Sequence, residues 1–192
     1  MSNTIATPLS KIKIKNVCMA VRRILHLSRI ERFDVVKMLD KLVFAMEDYG
    51  YQFNYEVRPD DDSIFNIKEE ALTELKTGTI YIKQSVMDEA CSKKNARAIF
   101  TLAHELGHYF LHYFPNDVSL ARVPDGVKFP IFMDAEWQAD NFAAELLMPE
   151  ETCRDMSIEG IMNIYNVSGQ AATTRYNKLN GIKTRIEDDF FE

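Results

Sequence analysis

The chain has 192 residues, 46% of them hydrophobic and 27% charged, which fits one compact soluble domain with short extensions. Three scattered cysteines, Cys18, Cys91 and Cys153, fit neither a disulfide framework nor a CxxC zinc knuckle and point to a reducing cytoplasm. The net charge of −6 is uneven, with ten Lys/Arg against seven Asp/Glu in residues 1–60 and thirteen against twenty-two in 61–192. The acidic bulk argues against a nucleic-acid surface there, and charges interrupt every apolar stretch before a signal core or membrane span could form.

In chain order, residues 1–15 are polar without helical periodicity and read as a loose arm, followed by a domain over 16–181. Apolar spacing of three and four from Val17 to Leu27 and from Arg32 to Tyr49 predicts two amphipathic helices, the second ended by Gly50. Alternation over residues 51–57 predicts a strand stopped by Pro59. A strand pair is expected at 71–75 and 79–83 with Thr77-Gly78 as its turn, and a helix follows it. Asn95 or Ser92 caps a long helix that runs to about Tyr113 and stops at Pro115. Residues 115–133, with Pro124, Gly126 and Pro130, read as a long loop; Phe129-Pro130-Ile131-Phe132 within it suggests a wall or lid over a cleft. Helices are expected over 134–147 and, in two pieces broken at Asn166-Val167-Ser168, over 158–179. Residues 182–192 form an acidic tail.

The long helix carries His104-Glu105-Leu106-Gly107-His108, an HExxH pentad inside an apolar run. Four-residue spacing stacks His104 and His108 on one face, where two imidazoles can hold one Zn²⁺. Glu105 then sits beside the metal as a general base and acid. A catalytic zinc usually takes three protein ligands, and Glu136 at the start of the next helix is the best third, with Glu145 as its competitor. Asp140, one turn beyond Glu136, can fix the tautomer of a ligating histidine. His112 lies too far along a straight helix to share the ion with both histidines. A metzincin site needs Gly at 111 and His at 114, where this chain has Leu111 and Phe114. Tyr109, Tyr113, His112 and Arg175 are conceivable oxyanion donors, with His112 or Tyr113 the choice for oxyanion or substrate contact. Arg97 and Thr101 read as a salt bridge and a back-bonded hydroxyl.

The run 97–112, followed by Glu136-Trp137-Gln138-Ala139-Asp140 and on to Pro149, resembles the ImmA/IrrE metallopeptidases, a gluzincin-type HExxH family; residues 32–181 match more loosely. The resemblance implies an α+β zincin-like domain in which a small sheet packs on the pentad helix and a second metal-ligand helix, with further helices at both ends. It also implies zinc on His104, His108 and Glu136, with Glu105 as acid and base. Gln138 stands where the family often has Glu. Members typically cleave or inactivate a repressor or antitoxin on bacterial or phage mobile elements, so the expected partner is such a protein.

Two other readings are open: a toxin of a toxin–antitoxin pair, and a DNA-binding regulator with a structural zinc. The second would use residues 158–181, which look like a helix-turn-helix with Arg175 and Lys178. Their low positive charge and the adjacent acidic tail favour instead a helix pair packed on the catalytic domain.

Overall fold

A computed structural model of the protein describes residues 4–28, 31–92, 95–114, 120–124 and 126–182; the acidic residues 183–192 lie outside it. Residues 4–5 form strand β1 (Thr4–Ile5), paired antiparallel with β5 (Ala121–Arg122), and helix α1 (Lys11–Ile24) begins inside the expected arm. Ser10 caps α1 by accepting from the Lys13 N–H at 3.3 Å. Alternating Lys and Ile over 11–15 hides the helix, because Ile14 is buried while Ile12 is 73% exposed. From Ile14 the buried face continues through Cys18, Val21 and Leu25, at helical spacing.

Helix α2 (Val35–Asp48), capped by Asp34, buries Val35, Leu39, Leu42 and Met46 at the expected spacing together with Met38, while Val36 and Val43 are partly buried at the edge of that face. Strands β2 (Asn54–Arg58), β3 (Ala71–Glu74) and β4 (Thr79–Lys83) form a sheet in the order β2-β4-β3, so β3 lies at an edge. β4 pairs parallel with β2 and antiparallel with β3, with Ile80 opposite Tyr55 and Thr73. Ile80 and Ile82 point into the core while Tyr81 carries the Arg58 guanidinium over its ring, giving the sheet one apolar and one wet face. The β3–β4 turn needs Gly78 at φ +70°, and its missing Cβ leaves room for the Tyr113 ring.

Helix α3 (Gln84–Cys91) leads to α4 (Ala96–His108), which Asn95 caps through the Arg97 and Ala98 N–H groups. α4 is the centre of the fold. Leu102, Ala103 and Leu106 are essentially inaccessible to solvent, and burying a leucine stabilises by roughly 1.5–3 kcal/mol. Against α4 lies α5 (Ala135–Leu147), whose cap is Asp134. The two helices touch at Gly107: a Cβ there would sit 3.0 Å from the Ala139 Cα and 3.1 Å from its carbonyl oxygen. Gly107→Ala is therefore expected to push α5 away and cost about 1–3 kcal/mol. Thermal denaturation checks this; an unchanged melting temperature would show that the helices have slack.

Past α4 the chain continues as one turn of π-helix over Tyr109–Tyr113, marked by the Phe114 N–H on the Tyr109 carbonyl. Such turns widen a helix and recur at functional sites. A 3-10 turn (Ile131–Met133) closes the loop before α5, and the N-terminal segment holds it: Ala6 N–H donates to Met133 O at 2.7 Å and Leu9 N–H to Phe132 O at 3.0 Å. Buried Arg22 of α1 donates to the Leu146 carbonyl and to the carbonyls of Ser28 and Glu31, tying α1 to the end of α5.

Short α6 (Glu150–Cys153) precedes α7 (Ile158–Tyr165) and α8 (Gly169–Leu179), broken at 166–168 as expected, with Asn166 left-handed at φ 52°. Arg175 on α8 is buried: it pairs with Glu145 and donates from Nε to the Met148 carbonyl at 2.9 Å. Replacing it by Met strands the Glu145 carboxylate in the interior and is expected to cost about 3–5 kcal/mol. A urea midpoint equal to wild type would show that the pair does not hold α8. Among the described residues no helix is long and apolar enough to cross a membrane.

Candidate metal centre

His104 and His108 come from consecutive turns of α4, and their Nε2 atoms converge to 3.0 Å. Glu136, in the first turn of α5, reaches them from the neighbouring helix: its carboxylate is 3.3 Å from His104 Nε2 and 3.7 Å from His108 Nε2. Asp134 fixes that first turn by accepting the Glu136 and Trp137 N–H groups. Among the described residues this trio is the group placed to hold a metal ion. An ion with tetrahedral bonds of about 2.0–2.1 Å needs ligand atoms roughly 3.3–3.4 Å apart, and the three observed separations bracket that value. The donor set of two imidazoles and one carboxylate also suits such an ion.

The imidazoles lie beneath the acids. His104 and His108 side chains are 17% and 15% exposed, while Glu136 and Asp140 are half open to solvent. Asp140 Oδ1 lies 2.9 Å from His104 Nδ1, which turns the other nitrogen toward the cluster. Burial disfavours charge on His104, but its hydrogen bonds to Asp140 and Glu136 and the nearby Glu105 outweigh this and raise its pKa to about 10. The same two imidazoles hold the Glu136 carboxyl well below the usual carboxylate range, against the pull of its own burial.

Glu105 is buried between α4 and the sheet. The Thr73 hydroxyl on β3 lies 2.7 Å from Glu105 Oε2 and 3.0 Å from its backbone oxygen. This partner is 32 residues away and lacks any sequence signal, because it depends on β3 being the strand against α4. Arg97 does form an ion pair, with Glu70, whereas the Thr101 hydroxyl bonds to that same carboxylate and not back to its own helix.

Three other candidate side chains are placed as follows. Glu145 is turned to Arg175 and to the Glu150 N–H, away from the trio, so it is not the third donor. His112 is buried, with Nδ1 3.1 Å from His108 Nδ1 and Nε2 2.9 Å from Gln138 Oε1, which leaves neither nitrogen for an oxyanion. Burial and the neighbouring His108 push its pKa down to about 4, so it is neutral at physiological pH. Tyr113 packs its ring on Gly78 and against Tyr109, at the β3–β4 turn.

Two histidines on one helix and a carboxylate on the next form a cluster that could hold a metal ion, with a buried glutamate beside them. The chain belongs to the ImmA/IrrE peptidase family: the family model described as Peptidase_M78, IrrE N-terminal-like domain, matches residues 73–177. The match runs from Thr73 on β3 into α8 and includes every residue of the trio. A search among curated proteins gave no match.

Proposed function

We propose that the protein is a zinc-dependent endopeptidase of zincin-like architecture that cleaves a repressor- or antitoxin-type regulator. The observation that carries this is the trio itself, whose donors converge at coordination spacing while its acidic side stays open to solvent. His104, His108 and Glu136 would hold the metal, which when bound acidifies a water and polarises a carbonyl. Glu105 would act as the base that takes a proton from the attacking water and as the acid that returns it to the departing amine. Thr73 holds one carboxylate oxygen of Glu105 and leaves the other for this transfer.

β3 supplies the rest. Its outer edge has no strand partner among the described residues, and it is joined to the general base through Thr73. A substrate segment in extended form pairs along that edge with its peptide bond brought toward the trio. Tyr113 at the end of the hairpin is the remaining candidate for a substrate or oxyanion contact. Ile131 and Phe132, just under half exposed in the turn before Glu136, offer an apolar wall. The Phe132 carbonyl accepts from the Leu9 N–H and the adjoining Met133 carbonyl from the Ala6 N–H, which suits a fixed wall better than a moving lid.

The burial of Arg175 in an ion pair removes the best cation from a DNA-reading face on α8 and favours the peptidase reading over a DNA-binding one. The test is incubation of the zinc-loaded protein with a regulator of the repressor or antitoxin type. Cleavage that stops on chelation and returns with zinc is the expected result; an intact regulator under the same conditions counts against the substrate assignment.

A further inference from the structure

Gln138, His112 and the N-terminal segment form a hydrogen-bonded chain that ends on a proposed metal ligand. The Gln138 amide nitrogen donates to two carbonyls, Phe132 O at 2.8 Å and Thr7 O at 3.0 Å. Two acceptors can be satisfied only by the NH₂ end of the amide, so its oxygen must face His112. An amide oxygen only accepts, which places the proton of neutral His112 on Nε2 and leaves a lone pair on its Nδ1. That lone pair faces His108 Nδ1, so His108 carries its own proton there, and its Nε2 lone pair is directed at His104 and Glu136.

We infer that Gln138 and His112 are positioning residues that lock His108 in its metal-binding tautomer, with the orientation of the amide set by the backbone of residues 7 and 132. Asp140 does the same for His104 through one carboxylate. The two ligands are thus preset by different chemistry, one by a charged acceptor at the open side and one by a neutral buried relay. Every member of the relay is needed for direction: without the amide oxygen, His112 is free to move its proton to Nδ1, where it opposes the His108 Nδ1–H. The π-helical turn at 109–113 carries His112 into this place between α4 and α5. The relay also reaches outside the family match, since Thr7 lies far before residue 73. The N-terminal segment is therefore part of the metal centre.

This inference rests on the metal-site reading above, and the test separates the two. Zinc affinity of the full-length chain is measured by chelator competition for wild type, Gln138→Leu and Gln138→Glu. The ring protons of His108 and His112 are located by long-range ¹H–¹⁵N NMR. Gln138→Leu is expected to weaken zinc binding by about 10- to 100-fold. Gln138→Glu keeps an acceptor for His112 Nε2–H but faces two carbonyls with no donor, so it is expected to lose thermal stability while holding zinc within a few-fold of wild type. Wild type shows His108 as Nδ1–H and His112 as Nε2–H. The relay is overturned if His108 carries its proton on Nε2, if Gln138→Leu binds zinc like wild type, or if Gln138→Glu loses as much affinity as Gln138→Leu. Wild type that binds no zinc would instead refute the metal reading, with the NMR assignment still deciding the relay.

Discussion

Glu105→Gln is expected to lower turnover of a cleavable substrate by about 10²- to 10⁴-fold, the range that a positioned general base contributes, with zinc content unchanged. Glutamine has the same shape and still offers an oxygen to the Thr73 hydroxyl, so the contact between α4 and β3 survives. What it lacks is a lone pair basic enough to take a proton. Because Glu105 is buried, neither solvent nor the exposed acids at 136 and 140 can easily take its place. The decisive comparison is kcat at matched zinc occupancy: a variant that cleaves at the wild-type rate removes Glu105 from the chemistry, whatever its position.

Glu136→Ala acts on the metal and leaves the acid–base group in place. Removing the one carboxylate ligand leaves two imidazoles, too few for a stable catalytic site, and both zinc retention through dialysis and activity should be lost. The fold should not be: the Glu136 side chain is half exposed and the first turn of α5 is capped by Asp134. A ligand that binds only the folded state stabilises it by about 2.7 kcal/mol at a hundred times its dissociation constant. Wild type should therefore gain melting temperature on zinc addition, while Glu136→Ala melts near the zinc-free wild type and gains little. An equal zinc-induced gain in both proteins would mean that the ion sits elsewhere.

The elements of the fold were legible where a single side of the chain is buried. The face of α2, the β3–β4 pair, the Asn95 cap and the break at 166–168 all follow from spacing or from a residue with a specific local role. The N-terminal segment was misread as a loose arm for two reasons. Lys-Ile alternation over 11–15 conceals a helix with only Ile14 inside, and β1 exists through backbone pairing with β5 and docking on the 131–133 turn. Backbone pairing leaves almost no trace in composition.

The site divides in the same way. HExxH on an apolar helix specifies two imidazoles and a glutamate by helical geometry alone, and Glu136 with Asp140 repeats that logic on the next helix. Each of these roles depends on periodicity within one element, which a sequence carries in full. The grip of Thr73 on Glu105, the turning of Glu145 to a buried Arg175 and the hydrogen bonds from Thr7 through Gln138 to His112 depend on contacts between elements far apart in the chain. Packing decided them: α4 against β3 and α5, as close as a glycine allows at Gly107, α8 against the end of α5, and the N-terminal segment against the turn before α5. The sequence by itself determined which residues can bind a metal, because helical spacing stacks their side chains; the tertiary structure decided which groups surround each of them, because those contacts join elements far apart in the chain.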